Sequence, residues 1–143
     1  LNEIVTELQF KADSKGLYLK MEKPEKIFKI QADREKIKAA LFNIVDNAIK
    51  YTVTGGVKIM VKNHDTVKIT VADTGIGIPK AKQETIFSQM FERGEEAKKV
   101  AAIGSGVGLY LSGQIIKSHK GKVWVESEEG KGSIFHIELP LSQ

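Results

Sequence analysis

Val57-Lys-Ile59-Met-Val61 and Val67-Lys-Ile69-Thr-Val71 are two alternating runs, joined by the polar tetrad Asn63-His-Asp-Thr66. An apolar β-branched residue at every second position is the period of a strand buried on one face. A connection this short closes the two runs as an antiparallel hairpin, because parallel neighbours need a crossover of a dozen residues or more. A second hairpin is expected downstream, with strands at Lys122–Glu126 and Ser133–Leu139 around the turn Glu128-Glu-Gly130-Lys-Gly132. Upstream lies the clearest helix, from Arg34 to about Tyr51. Asp33 is its N-cap, and Ile37, Leu41, Ile44, Val45, Ala48 and Ile49 fall on one side. Further helices are read at residues 1–15, from Lys80 to about Phe91, and from Gly104 onwards. Short strands are read at Leu17–Met21 and Phe28–Ile30. Two hairpins among helices predict an α+β fold with a mixed sheet and helices on one face, not a doubly wound parallel sheet.

At 143 residues, 41% hydrophobic and 28% charged, the chain suits a single domain over residues 1–143. The net charge of +4 is small and dispersed, so it gives no argument for a nucleic-acid partner. The absence of cysteine excludes disulfides and thiolate metal sites. No run approaches the roughly 18 apolar residues of a membrane span, so no direct membrane contact is expected. Residues 1–10 carry two Glu and no basic residue, unlike a signal peptide. Starting without Met and in helical character, the sequence reads as an excised piece, with any membrane anchor of its parent lying upstream.

Three stretches carry chemistry. On the long helix Asn43, Asn47 and Lys50 stand at i, i+4 and i+7, nearly opposite the apolar stripe. They read either as a solvated surface or as a site where Asn47 offers a hard oxygen to Mg2+ and Lys50 a point charge to a phosphate. Asp73 ends a strand and is followed by Gly75 and Gly77. A carboxylate only accepts hydrogen bonds, so on a pocket floor it selects a donor such as the exocyclic amine of adenine. The glycines let backbone approach a flat ring. The same Asp-Thr-Gly also fits a plain turn or an aspartic protease dyad, although the continuation through Lys80-Ala-Lys82 reads as a helix start. Finally, Gly104-Ser105-Gly106-Val107-Gly108-Leu109 opens a helix, where free N–H groups form an anion site. It fits neither the dinucleotide fingerprint nor the Gly-x-x-x-x-Gly-Lys phosphate loop.

Together and in this order, these stretches resemble the N, G1 and G2 boxes of the histidine kinase catalytic domain, in the superfamily of DNA gyrase, Hsp90 and MutL. Asn43-Ile-Val-Asp-Asn47-Ala-Ile-Lys50-Tyr51 is similar to Asn-x-x-x-Asn-Ala-x-Lys-Tyr, Asp73-Thr-Gly75-Ile-Gly77-Ile78 to Asp-x-Gly-x-Gly-Ile, and Gly104 to Leu109 to Gly-x-Gly-x-Gly-Leu. The ending Gly121-Lys-Val-Trp-Val-Glu-Ser127 and Gly130-Lys-Gly-Ser-Ile-Phe135 also resembles the family's last strands. Ile86-Phe-Ser-Gln-Met90-Phe91-Glu92-Arg93 fits the F box Ile-Phe-x-x-Phe-x-Arg only with one residue of slack.

The resemblance implies a two-layer α/β sandwich with a mixed five-stranded sheet, about three helices on one face, and ATP held under a flexible lid at residues 92–103. It implies that Asp73, Gly75, Gly77 and Ile78 form the adenine wall. Asn47 would bind Mg2+, with Asn43 supporting the metal through water, and Lys50 and Arg93 would bind phosphate. Tyr51 would contact the nucleotide, and Gly104, Ser105, Gly106, Val107, Gly108 and Leu109 would cradle phosphates. Lys98 and Lys99 either reach phosphates or are solvated. Asn43, Lys50 and Arg93 are carried over as the catalytic residues. Gyrase-like members place a water-activating glutamate four residues before the metal asparagine. Here that residue is Asn43, which takes no proton at neutral pH. The expectation is therefore phosphoryl transfer to histidine, with an ATPase clamp or a Ser/Thr kinase of the same fold as the alternative. No His-Glu-x-x-Arg/Lys-Thr-Pro segment is present, and His64, His119 and His136 read as surface histidines. The acceptor would be a histidine-bearing dimerisation domain of the same kinase, with a response regulator receiver domain downstream. The resemblance also implies a homodimeric parent and a cytoplasmic location for this domain.

Overall fold

The computed structural model describes residues 1–88 and 107–142, Val107 by its backbone alone. The two hairpins form as the alternation requires. β2 (Gly56–Asn63) pairs antiparallel with β3 (Thr66–Asp73), Ile59 facing Val71 across the ladder. β4 (Lys122–Glu128) pairs antiparallel with β5 (Gly132–Pro140), Val125 facing Phe135. β3 and β5 join the hairpins, and β1 (Tyr18–Glu22) adds parallel to β2, giving the order β1-β2-β3-β5-β4. One face of this sheet carries Leu19, Val57, Ile59, Val67, Ile69, Val71, Val125, Phe135, Ile137 and Leu139, all buried. Helices cover that face: α1 (Asn2–Ser14), α2 (Arg34–Lys50), the single-turn α3 (Lys80–Gln83) and α4 (Val107–Ser118). The opposite face is exposed, with Trp124, Ile134 and Tyr18 on it. The architecture is thus the expected α+β sandwich with a mixed five-stranded sheet.

Two expectations are corrected. Residues 28–30 form no strand. Phe28, Ile30 and Ala32 are partly buried against the core, while Ile27, Lys29 and Gln31 are exposed. Alternation reports which way side chains face and not whether a partner strand lies alongside. The helix expected from Lys80 ends at Gln83 and passes into turns as far as Ser88. Its last apolar residues, Ile86 and Phe87, are buried all the same, with Phe87 edge-on to Phe135 at 5.9 Å. Met90, Phe91 and the proposed lid at 92–103 lie outside the described residues.

Candidate nucleotide-binding site

The site is assembled around α2. Asp33 starts this helix by accepting from the Lys36 N–H at 3.1 Å. The helical period then buries Ile44, Val45, Ala48 and Ile49 and leaves Asn43, Asn47 and Lys50 half-buried on the flank. Among the described residues neither the Asn43 nor the Asn47 side-chain amide has a hydrogen-bond partner. Lys50, by contrast, is engaged, its Nζ 3.1 Å from Asp46 Oδ2. Lys11 of α1 lies 2.8 Å from Asp46 Oδ1. Lys15 donates to the carbonyls of Ile49 (2.8 Å) and Lys50 (3.0 Å) at the end of α2, where a cation complements the helix terminus. Sequence reading missed these contacts. Asp46 reads as one more polar helix residue, and no local pattern joins it to a lysine 35 residues away.

The loop after β3 closes against the end of α2. The Ile76 N–H donates to the Tyr51 carbonyl at 3.1 Å. A Cβ on Gly75 would stand 2.4 Å from that same oxygen and 3.0 Å from Thr52 Oγ1. Gly77 has φ +76°, and a Cβ there would meet the Glu128 carbonyl at 2.2 Å. Both positions therefore admit only glycine without a shift of backbone. Asp73 lies at the base of this loop. Its Oδ1 accepts from the N–H groups of Gly75 (2.9 Å) and Ser133 (3.2 Å). Burial pushes its carboxyl up to about 6, against the two backbone N–H groups, which pull it down.

Further residues hold the loop in place. Ser127 Oγ accepts from the Ile78 N–H at 2.8 Å and shares a 2.7 Å hydrogen bond with Ser133 Oγ. Gln83 Nε2 donates to the carbonyls of Ile78 and Ser127, each at 2.9 Å. Thr74 Oγ1 donates to the Thr54 carbonyl at 2.7 Å and accepts from Gly56 N–H at 2.9 Å. None of these four residues was singled out from sequence. The available signal was Ser127 and Ser133 standing at core-facing positions of two strands whose other such positions are apolar.

The start of α4 returns to α2. A Cβ on Gly108 would lie 3.6–3.8 Å from the Asn43 side chain, which is ordinary contact, and Leu109 is partly buried against the core. Ser112 is buried and donates to the Ala40 carbonyl at 2.8 Å. The structure thus brings the Asp73–Ile78 loop against the end of α2 at Tyr51 and the Gly108 end of α4 against Asn43 of the same helix. Arg93, Gly104, Ser105 and Gly106 lie outside the described residues. Of the histidines, His64 is exposed in the β2–β3 turn. His136 lies 3.2 Å from Glu126 and stacks on Trp124 with centroids 5.0 Å apart. His119 is more than a surface residue. Its Nε2 accepts from the Asp33 N–H at 3.1 Å and its Nδ1 lies 2.9 Å from the Ile115 carbonyl, tying the end of α4 to the cap of α2.

No three His, Cys, Asp or Glu side chains converge on a metal position among the described residues. The donors present, the amides of Asn43 and Asn47, are neutral. They fit a hard cation that arrives carried by phosphate oxygens, as Mg2+ usually is. No helix among the described residues is long and apolar enough to cross a membrane.

Comparison with known proteins agrees with this geometry. Residues 32–143 match the family described as histidine kinase-, DNA gyrase B- and HSP90-like ATPase. The adaptive-response sensory kinase SasA of Synechococcus sp. (strain JA-2-3B'a(2-13)) is 39% identical over 141 residues, 96% of this chain and 37% of that protein. SasA of Rippkaea orientalis (strain PCC 8801 / RF-1) is 41% identical over 130 residues, 89% of this chain and 32% of that protein. The chain thus spans about a third of the length of these curated relatives. Among solved structures, the nucleotide-free catalytic domain of histidine kinase ThkA superposes with a TM-score of 0.82 at 30% identity, over 98% of this chain and 89% of that one. Full-length ShkA in complex with AMPPNP gives 0.82 at 26% identity, over 99% of this chain and 29% of that one. On the strength of the family match and of the nearly complete overlap with the ThkA catalytic domain, this chain belongs to the histidine kinase-, DNA gyrase B- and HSP90-like ATPase family, in its histidine kinase branch.

Proposed function

We propose that this domain binds Mg-ATP beside α2 and passes the γ-phosphoryl group to a histidine on a separate dimerisation domain, from which a response regulator receiver domain is phosphorylated. The observation that carries this reading is Asp73, a partly buried carboxylate at the end of a strand whose Oδ1 accepts from two backbone N–H groups while Oδ2 has no hydrogen-bond partner among the described residues. Its second oxygen suits an amine donor, as adenine offers and guanine does not. Gly75, Gly77 and Ile78 shape the wall beside it. The amide oxygen of Asn47 is offered to Mg2+, which supplies charge neutralisation at the phosphates when bound, and Asn43 supports that metal through water. Lys50 and Arg93 bind phosphate oxygens, Tyr51 contacts the nucleotide, and the Gly104–Leu109 stretch offers backbone N–H groups to the phosphates. Phosphoryl transfer requires mainly positioning and electrostatic stabilisation, so this set suffices without a protein base at position 43. The AMPPNP complex of the similar ShkA supports nucleotide binding, and a similar structure, histidine kinase ThkA in complex with response regulator TrrA, supports the partner class. We further infer that the domain works in the cytoplasm, within a homodimeric parent.

Radiolabelled ATP tests the proposal. The domain alone should release phosphate very slowly and leave no label on His64, His119 or His136. Adding a cognate helical-hairpin dimer should yield an acid-labile phosphohistidine on the dimer, and Asn47→Ala should suppress it. Brisk hydrolysis by the domain alone, unaffected by the dimer, would identify an ATPase clamp instead.

A further inference from the structure

Lys50 is needed at the phosphates, yet here its ammonium is paired with Asp46. Asp46 faces inward from α2 and is 8% exposed. A carboxylate so placed does not readily give up a counterion, because an unpaired buried charge costs more than the pair contributes. With Lys50 as its sole partner, Asp46 would hold that lysine back from a nucleotide. A second cation is present, however. Lys11 reaches across from α1 to Oδ1 while Lys50 occupies Oδ2, so each carboxylate oxygen has its own ammonium group. α1 is firmly seated, with Ile4, Leu8 and Ala12 buried, and Lys15 one turn beyond Lys11 is bonded to the end of α2. This helix precedes residues 32–143, the part of the chain that matches the family.

We propose that Lys11 is a positioning residue for phosphate binding: as the standing counterion of Asp46, it releases Lys50 to the phosphates when Mg-ATP enters. The proposal rests on the assignment of Lys50 to phosphate made above. When Lys50 leaves Oδ2, the Asp46 charge remains paired through Oδ1, so the movement strands no buried ion. The phosphate grip of α2 thereby depends on a side chain of α1 that itself touches no nucleotide.

Calorimetry on the 143-residue chain with Mg-ATP and with adenosine tests this directly. Lys11→Met should weaken Mg-ATP by about tenfold, the scale of one charge-assisted hydrogen bond, and leave adenosine binding as in the unsubstituted chain. Lys11→Arg should restore Mg-ATP affinity. Lys11→Met combined with Asp46→Asn should recover most of it, because the carboxylate that retains Lys50 is gone. Undiminished Mg-ATP affinity in Lys11→Met, or a double variant no tighter than Lys11→Met, overturns the proposal. So does equal weakening of ATP and adenosine, which would mean that α1 only steadies the fold. These outcomes leave the nucleotide reading intact, whereas an unsubstituted chain that binds no Mg-ATP removes both.

Discussion

At the scale of single residues, Asp73, proposed above to hold the adenine amine, carries its charge at the expense of stability. Burial lifts its carboxyl to about 6 from the ordinary 3.8, so the folded chain holds this proton more tightly than the unfolded chain does. Stability from this group therefore rises as pH falls from about 6 towards 4, and the ionised form costs about 1–3 kcal/mol above that window. Nucleotide affinity should run the other way. A protonated Asp73 can present a donor to the adenine amine, so Mg-ATP binding should weaken as pH is lowered through about 6, as calorimetry across pH 5–8 would read. Asp73→Asn keeps an acceptor for Gly75 and Ser133 and removes the buried charge. It should raise the neutral-pH melting temperature and abolish most ATP binding; a lowered melting temperature would contradict the account. The glycines divide in the same way. Gly75→Ala drives a methyl towards the Tyr51 carbonyl and should cost about 1–3 kcal/mol in denaturant unfolding. Gly108→Ala makes only ordinary contact with Asn43, so it should leave stability unchanged within about 0.5 kcal/mol while impairing Mg-ATP binding.

At the scale of elements, legibility followed periodicity. α2 and both hairpins were readable because a 3.6 or 2.0 repeat reports a buried face directly, and Asp33 marked the start of α2. The motif stretches were recognisable through resemblance, because their glycines and carboxamides stand at fixed offsets, and the roles given to them are the proposal above. What escaped were contacts between elements: Lys11 and Lys15 on α2, Ser127 beneath Ile78, and His119 beneath Asp33. Each depends on how far apart two elements come to lie, which no local pattern encodes. The Phe28–Ile30 misreading has the same origin, because alternation was present and a pairing strand was not. His119 offers a clean test, as it links α4 to the α2 cap at a distance from the Asp73 floor. His119→Ala should lower unfolding free energy by about 1 kcal/mol in urea titrations and leave adenosine affinity unchanged.

At the scale of the whole molecule, the described helices cover one face of the sheet, and that layer also bears Asn43, Asn47 and Lys50 of the candidate site. Its strands are not equally tied in. β2, β3, β5 and β4 are consecutive antiparallel neighbours, while β1 sits at the edge, joined parallel to β2 by a connection that includes all of α2. Hydrogen exchange should accordingly find β1 amides opening well before those of β3, which is paired on both sides. Closing the long β1–β2 connection also makes it a late event in folding, after the local hairpins. This edge strand directly follows α1, the helix that carries Lys11 and is capped by Lys15. Partial unfolding of this end would thus withdraw the counterion of Asp46 while Asp73 and its loop still stood. Under mild heat or denaturant the domain should lose its hold on phosphate while adenosine still binds, a failure by stages set by the one parallel strand.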